Sequence, residues 1–229
     1  MASIKPFVVD KVRGVLHETG ASRGPGLVLA HGAGSDCDAP LLVAAAKAFA
    51  AAGVAVLRCD LPFRQKRPAG PPSPAGAAED RAGLRRALEA LGASVAGPIY
   101  LGGHSYGGRQ ASMLVAEEPG LAAALLLLSY PLHPPKKPAQ LRTEHLPRLR
   151  TRAVFVHGTR DAFGTIAELE AAIALIPAET CLIRIDGAGH DLRRGRIDWA
   201  PAIGGLLSHI GGAASTGAAK GRGVPPGRA

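Results

Sequence analysis

The feature that most constrains this chain is a repeated alternation in which short β-rich apolar runs are each followed by an Ala- and Leu-rich stretch of helical length. The strand candidates are 12–17, 27–30, 54–59, 98–102, 122–128, 153–157 and 180–185. Between them lie helix candidates at 39–52, 77–91, 106–118 and 166–175, with a last helix at 198–210. A parallel neighbour can be reached only by a long crossover, usually helical. The alternation therefore predicts an α/β fold, a mostly parallel twisted sheet with helices on both faces. In such a sheet the connections that follow strands leave from one carboxyl edge, where ligands bind. The connections 31–38, 60–76, 103–106, 129–147, 158–164 and 186–196 are thus predicted to face a single site.

A chain of 229 residues can bury one substantial core. The expected organisation is one domain over 1–211 and a flexible basic tail over 212–229, which is Gly-, Ala- and Pro-rich and has no periodic apolar face. Two Pro-rich stretches, 61–74 and 130–147, are predicted to be ordered but irregular loops, too short to make a separate lid domain.

Composition narrows the function classes. The net charge is +9, from 27 Lys and Arg against 18 Asp and Glu. Such an excess could draw nucleic acid, anionic lipid or an anionic substrate. No aromatic-interleaved RNA motif, basic zipper or zinc finger accompanies it, so no nucleic acid partner is expected. Cys37, Cys59 and Cys181 are too few for a disulfide framework and include no CxxC pair, which fits reduced thiols in a cytoplasm. The opening MASIKPFVVDKVRG lacks the apolar core of a signal peptide. The most apolar stretch, 41–57, is broken by Lys47 and Gly53, and suits a helix followed by a buried strand better than a membrane span. There is no GxxxxGK[ST] loop, no HExxH and no GxGxxG in a strand-to-helix turn. NTPase, zinc protease and dehydrogenase readings therefore fall away, and neither metal nor cofactor is expected.

The pattern GxSxG occurs twice, around Ser22 and around Ser105. Context separates the two. A serine nucleophile of this kind needs a strand, a sharp strained turn that presents its hydroxyl, and a helix whose N-terminus favours negative charge. Ser105 has the strand 98–102 before it and a helix after it, and Gly103, Gly107 and Gly108 let backbones pass closely. Ser22 is followed by Gly24, Pro25 and Gly26 and then a strand, which makes it a loop residue.

A serine hydroxyl needs an imidazole to take its proton and a carboxylate to hold the imidazole's tautomer. At an elbow of this type the partners follow in the order acid, then base. Asp161 comes after the strand 153–157 in HGTRDAFG, and His190 comes after the strand 180–185 in DGAGHDL. Asp186 and Asp191 are the alternative acids. Asp161 as a helix cap would lie a little early for the helix near Thr165. The loop His31-Gly32-Ala33-Gly34 directly follows the strand 27–30, where a first oxyanion donor is expected, the second coming from the residue after the nucleophile. The backbone N–H groups of Ala33 and Tyr106 are assigned to that hole. His31, Gly32, Arg64 and His104 are the candidates to line the substrate site, with the ring of His31 bonded to the loop backbone.

Together HGAG, GHSYGG, HGTRD and GAGH resemble the α/β-hydrolase superfamily, specifically its dienelactone-hydrolase-like members, over about residues 25–210. The resemblance implies a minimal fold of that kind with no separate lid domain, and a hydrolase worked by Ser105, His190 and Asp161. The phrases LPFRQ, YPLHPP and LRTEHLPRL resemble a narrower group related to a testis-expressed protein and to a subunit of a chromatin acetyltransferase complex. Ser105 stands where dienelactone hydrolase proper carries Cys, so the dienelactone substrate does not carry over.

The expected activity is hydrolysis of a carboxylic ester or thioester of a small acyl substrate. A peptidase, a cofactor-free haloperoxidase or a non-catalytic interaction domain would share the same fold. Arg64, Lys66, Arg67, Lys136, Lys137 and Arg142 follow two strands, and a rim of that sign would favour an anionic substrate. Arg64 is the foremost candidate to grip a carboxylate, its alternative role being to brace the neighbouring loop backbone.

Overall fold

The structure is a computed structural model that describes residues 3–20, 24–193 and 197–208. Ser22, the predicted helix beyond residue 208 and the tail 212–229 lie outside the described residues.

Among the described residues one eight-stranded sheet runs in the order β1 (Ser3–Val9), β2 (Val12–Glu18), β4 (Ala55–Cys59), β3 (Gly26–Ala30), β5 (Ile99–His104), β6 (Leu125–Leu128), β7 (Ala153–Gly158) and β8 (Thr180–Ile185). From β4 to β8 every neighbour is parallel, whereas β1 and β2 pair antiparallel. The central strands are apolar without interruption because the sheet is covered on both sides. Period-2 alternation then sends successive side chains to opposite cores. Val28, Leu57, Leu101 and Leu127 pack with α3 (Ala77–Gly92), α4 (Tyr106–Glu117) and α5 (Ile166–Ile173), while Leu27, Leu29, Val56 and Leu126 pack with α1 (Pro40–Ala51) and α6 (Ala200–Leu207). No helix among the described residues is long and apolar enough to cross a membrane.

Two differences from the sequence reading have clear causes. The hairpin partner β1 was not predicted because only Phe7 of its seven residues is buried, so it carries no apolar face to signal. Pro6 and the Lys5–Glu18 ion pair suit an exposed sheet edge, where a missing amide costs no ladder bond. The stretch 61–74, expected to be irregular, opens with a short helix, α2 (Pro62–Lys66), which Pro62 starts from its first position.

Candidate active site

The end of β5 turns so tightly into α4 that Ser105 takes φ 50° and ψ −116°, a conformation L-residues rarely adopt. Glycine makes the turn possible. A Cβ at Gly103 would lie 2.5 Å from the Ala30 carbonyl oxygen, and one at Gly107 would lie 2.6 Å from that of His31. The serine is therefore pressed up at the carboxyl edge with β3 crowded beside it.

Long connections bring the partners across. The Nε2 atom of His190 lies 2.8 Å from Ser105 Oγ. Its Nδ1 donates to the Asp161 carboxylate at 2.8 and 3.0 Å. Asp161 is buried and also accepts the Phe163 amide at 2.8 Å, so its carboxylate is oriented by two donors. Asp186 and Asp191 are exposed, and neither is bonded to the His190 ring. Phe163 stacks on that ring with centroids 4.0 Å apart. Sequence reasoning missed Phe163, although its place two residues beyond Asp161 was a usable signal.

Ala33 and Tyr106 both line the cleft beside Ser105. The amide of Tyr106 is the first of α4 and has no intrahelical acceptor. The Tyr106 ring is held by its hydroxyl, which donates to the buried Asp80 at 2.7 Å, and by an edge-on contact with Phe63. Asp80 also accepts the Phe63 amide at 3.0 Å, and burial raises its pKa despite both bonds. Asp80 was not singled out in the sequence because nothing in a helix marks the one carboxylate that turns inward.

Two of the residues proposed to line the substrate site hold loop backbone instead, His31 through its ring as expected and Arg64 in its alternative role. His31 is fully buried and does not reach the cleft: Nδ1 donates to the Gly32 carbonyl at 2.8 Å and Nε2 accepts the Leu61 amide at 3.1 Å. Burial lowers its pKa, which suits this neutral tautomer. Arg64 is likewise not a carboxylate clamp. Its guanidinium donates to the carbonyls of Ser35 at 2.8 Å, Ala33 at 2.9 Å, Gly70 at 3.2 Å and Arg67 at 3.3 Å. The buried fork is spent on backbone, and it holds the loop that presents the Ala33 amide.

Gly32 and His104 do line the cleft. A Cβ at Gly32 would meet Nδ1 of His104 at 2.9 Å. Nε2 of His104 donates to the His190 carbonyl at 2.8 Å, and burial lowers its pKa to about 4, so the ring is a neutral prop for the His190 loop. Of the other basic residues expected at the rim, Lys66 pairs with Glu79, Arg67 donates to the Pro71 carbonyl, and Lys136 and Lys137 are exposed and do not line the cleft. Only Arg142 lines it, in company with Arg109, which was not predicted. The cleft holds about 630 Å³.

A family model described as "Alpha/beta hydrolase domain" matches residues 23–199. Among solved structures, dienelactone hydrolase from Anabaena variabilis superposes with a TM-score of 0.65 at 20% identity, covering 91% of this chain and 92% of that one. Est1E from Butyrivibrio proteoclasticus gives a TM-score of 0.67 at 15% identity over 90% of this chain and 97% of its own. A protein from Xanthomonas campestris described as an α/β serine hydrolase without lid gives 0.64 at 13% identity over 91% and 94%. At these identities the likeness is one of fold.

Proposed function

Because the chain belongs to the alpha/beta hydrolase domain family, we propose that it is a serine hydrolase cleaving a carboxylic ester or thioester of a small substrate through an acyl-enzyme on Ser105. The observation that carries this reading is the unbroken line of hydrogen bonds from Ser105 through His190 to Asp161, set at a serine in a strained turn. In the first step Ser105 Oγ attacks the acyl carbon and its proton passes to His190 Nε2. The developing oxyanion is met by the amides of Ala33 and Tyr106, at the start of α4. Collapse expels the alcohol or thiol, which leaves with the proton from His190. Water then gives a proton to the same nitrogen as it attacks the acyl carbon, and His190 passes that proton to Ser105 Oγ as the acid is released.

The narrower likeness, to the group related to a testis-expressed protein and a chromatin acetyltransferase complex subunit, is supported by three phrases at or behind this cleft: LPFRQ supplies Arg64, which braces the backbone of the loop at its edge, while YPLHPP supplies Pro131 and LRTEHLPRL supplies Arg142, which line it. A cytoplasmic setting is supported by three cysteines that are all free.

Labelling with a fluorophosphonate tests the central claim. Wild type should be labelled at Ser105 and should hydrolyse short acyl esters. Ser105→Ala should lose labelling and on the order of 10⁴ to 10⁶ in turnover while melting cooperatively. Labelling that persists in the variant refutes the assignment.

A further inference from the structure

One part of the cleft carries donors with nothing to donate to. Arg109 and Gln110 from the first turns of α4 and Arg142 from the connection after β6 all line it. Nε of Arg109 and Nε2 of Gln110 are buried without any hydrogen-bond partner. The amide of Gln110 has its orientation set, because Oε1 accepts from Arg81 at 3.1 Å. Arg142 makes a single long side-chain bond, 3.4 Å to the Pro131 carbonyl. Neither Arg109 nor Arg142 has an ion-pair partner among the described residues, and no carboxylate lines the cleft. Arg64, Arg81, Arg85 and Arg152 are by contrast all bonded.

This arrangement is held in place rather than left loose. Ser112 and His145 are both buried and lie 2.8 Å apart, tying α4 to the connection that carries Arg142. The Tyr130 hydroxyl donates to the Arg142 carbonyl at 3.0 Å, and the Arg142 amide donates to that of Leu132 at 2.9 Å. Burial, and then the charge of Arg109, lower the pKa of Arg142 against a smaller opposing charge from Glu144, which places the two cations within each other's field. Holding like charges together while leaving buried donors unmet is costly unless an anion answers both.

We infer that Arg109, Arg142 and Gln110 form a subsite for a carboxylate carried on the substrate away from the bond that is cleaved. The substrate class is then an acidic ester or thioester, and the inference rests on the hydrolase reading above. Two guanidinium groups and an amide offer a carboxylate paired, charge-assisted donors, whereas a neutral acyl chain leaves all three unmet.

The test uses two matched ester pairs. One carries the carboxylate on the acyl side, 4-nitrophenyl hydrogen adipate against 4-nitrophenyl hexanoate. The other carries it on the leaving group, 4-carboxyphenyl hexanoate against its methyl ester. At least one anionic member should be favoured by about tenfold or more in kcat/KM. That preference should shrink with salt and fall toward one in Arg109→Gln and Arg142→Gln. Melting with adipate or with hexanamide needs no turnover. Adipate alone should raise the midpoint of wild type, and it should do so less in either variant. Equal treatment of both pairs, a preference that neither substitution moves, or the absence of any adipate shift overturns the subsite. Fluorophosphonate labelling of the same preparations keeps the two readings apart, since intact labelling leaves the hydrolase standing and lost labelling removes it.

Discussion

The turn that carries Ser105 and the rim that encloses it are built on opposite principles. The turn is specified over a few residues: a strand, glycines where Cβ atoms would strike the Ala30 and His31 carbonyls, and a helix start. The rim is specified over long separations, by single side chains bonded to distant backbone. Arg64 reaches back to the loop at 33–35, and His145, which follows β6 in the chain, reaches Ser112, which precedes it. The presentation of the serine is thus encoded locally, while the shape of the space in front of it is encoded by braces. Damage to the first should abolish turnover with the fold intact, and damage to the second should alter stability and recognition together.

After the loss expected of Ser105→Ala, the largest effect should come from Asp161→Asn. The imidazole stays in place but its tautomer is wrong, and turnover should drop by about 10⁴. Asp186→Asn and Asp191→Asn should change little. Steady-state kinetics on the three variants checks this, and an Asp191 effect as large as that of Asp161 would move the acid elsewhere.

Arg64→Lys breaks the rim instead. The charge remains, but the fork that serves four carbonyls does not, and stability should fall by about 2 kcal/mol. Turnover should fall too, because the loop bearing the Ala33 amide loosens. Denaturant melts and kinetics measured together test the contrast, which is lost if either property changes without the other.

The difference between the two regions also explains how far the sequence could be read. Parallel topology followed from alternation, and the positions of Ser105, Asp161 and His190 followed from a local motif and chain order. Arg64 was left between two roles because an arginine just past a strand end looks the same whether it faces ligand or backbone, and the structure gives it the backbone role. Arg109, Gln110 and Asp80 were missed because their roles depend on which side of a helix turns toward a cleft or core that distant segments create.

A smaller effect should appear with pH. Burial, and then the charge of Arg109, lower the pKa of His145 from 6.5 to about 4. The folded chain therefore refuses a proton that the unfolded chain accepts below about pH 6.5. Stability is then fully present above that value and is lost as pH falls toward 4, by up to about 1.4 kcal/mol per pH unit for this group. His104, also lowered to about 4, should add a similar slope. Melting midpoints between pH 7 and 4.5 should decline less steeply in His145→Gln than in wild type. Parallel curves would show that the brace does not titrate.

The left-handed backbone at Ser105 has a consequence for how this chain could change over generations. An L-residue there costs of order 1–3 kcal/mol, which glycine would not incur. Of two inactive variants, Ser105→Gly should therefore melt above Ser105→Ala, by about 1 kcal/mol after glycine's greater unfolded-state freedom is counted. Calorimetry that finds the alanine variant equal or higher would refute this. A chain released from the need for a nucleophile would thus gain stability by a change to glycine at this position.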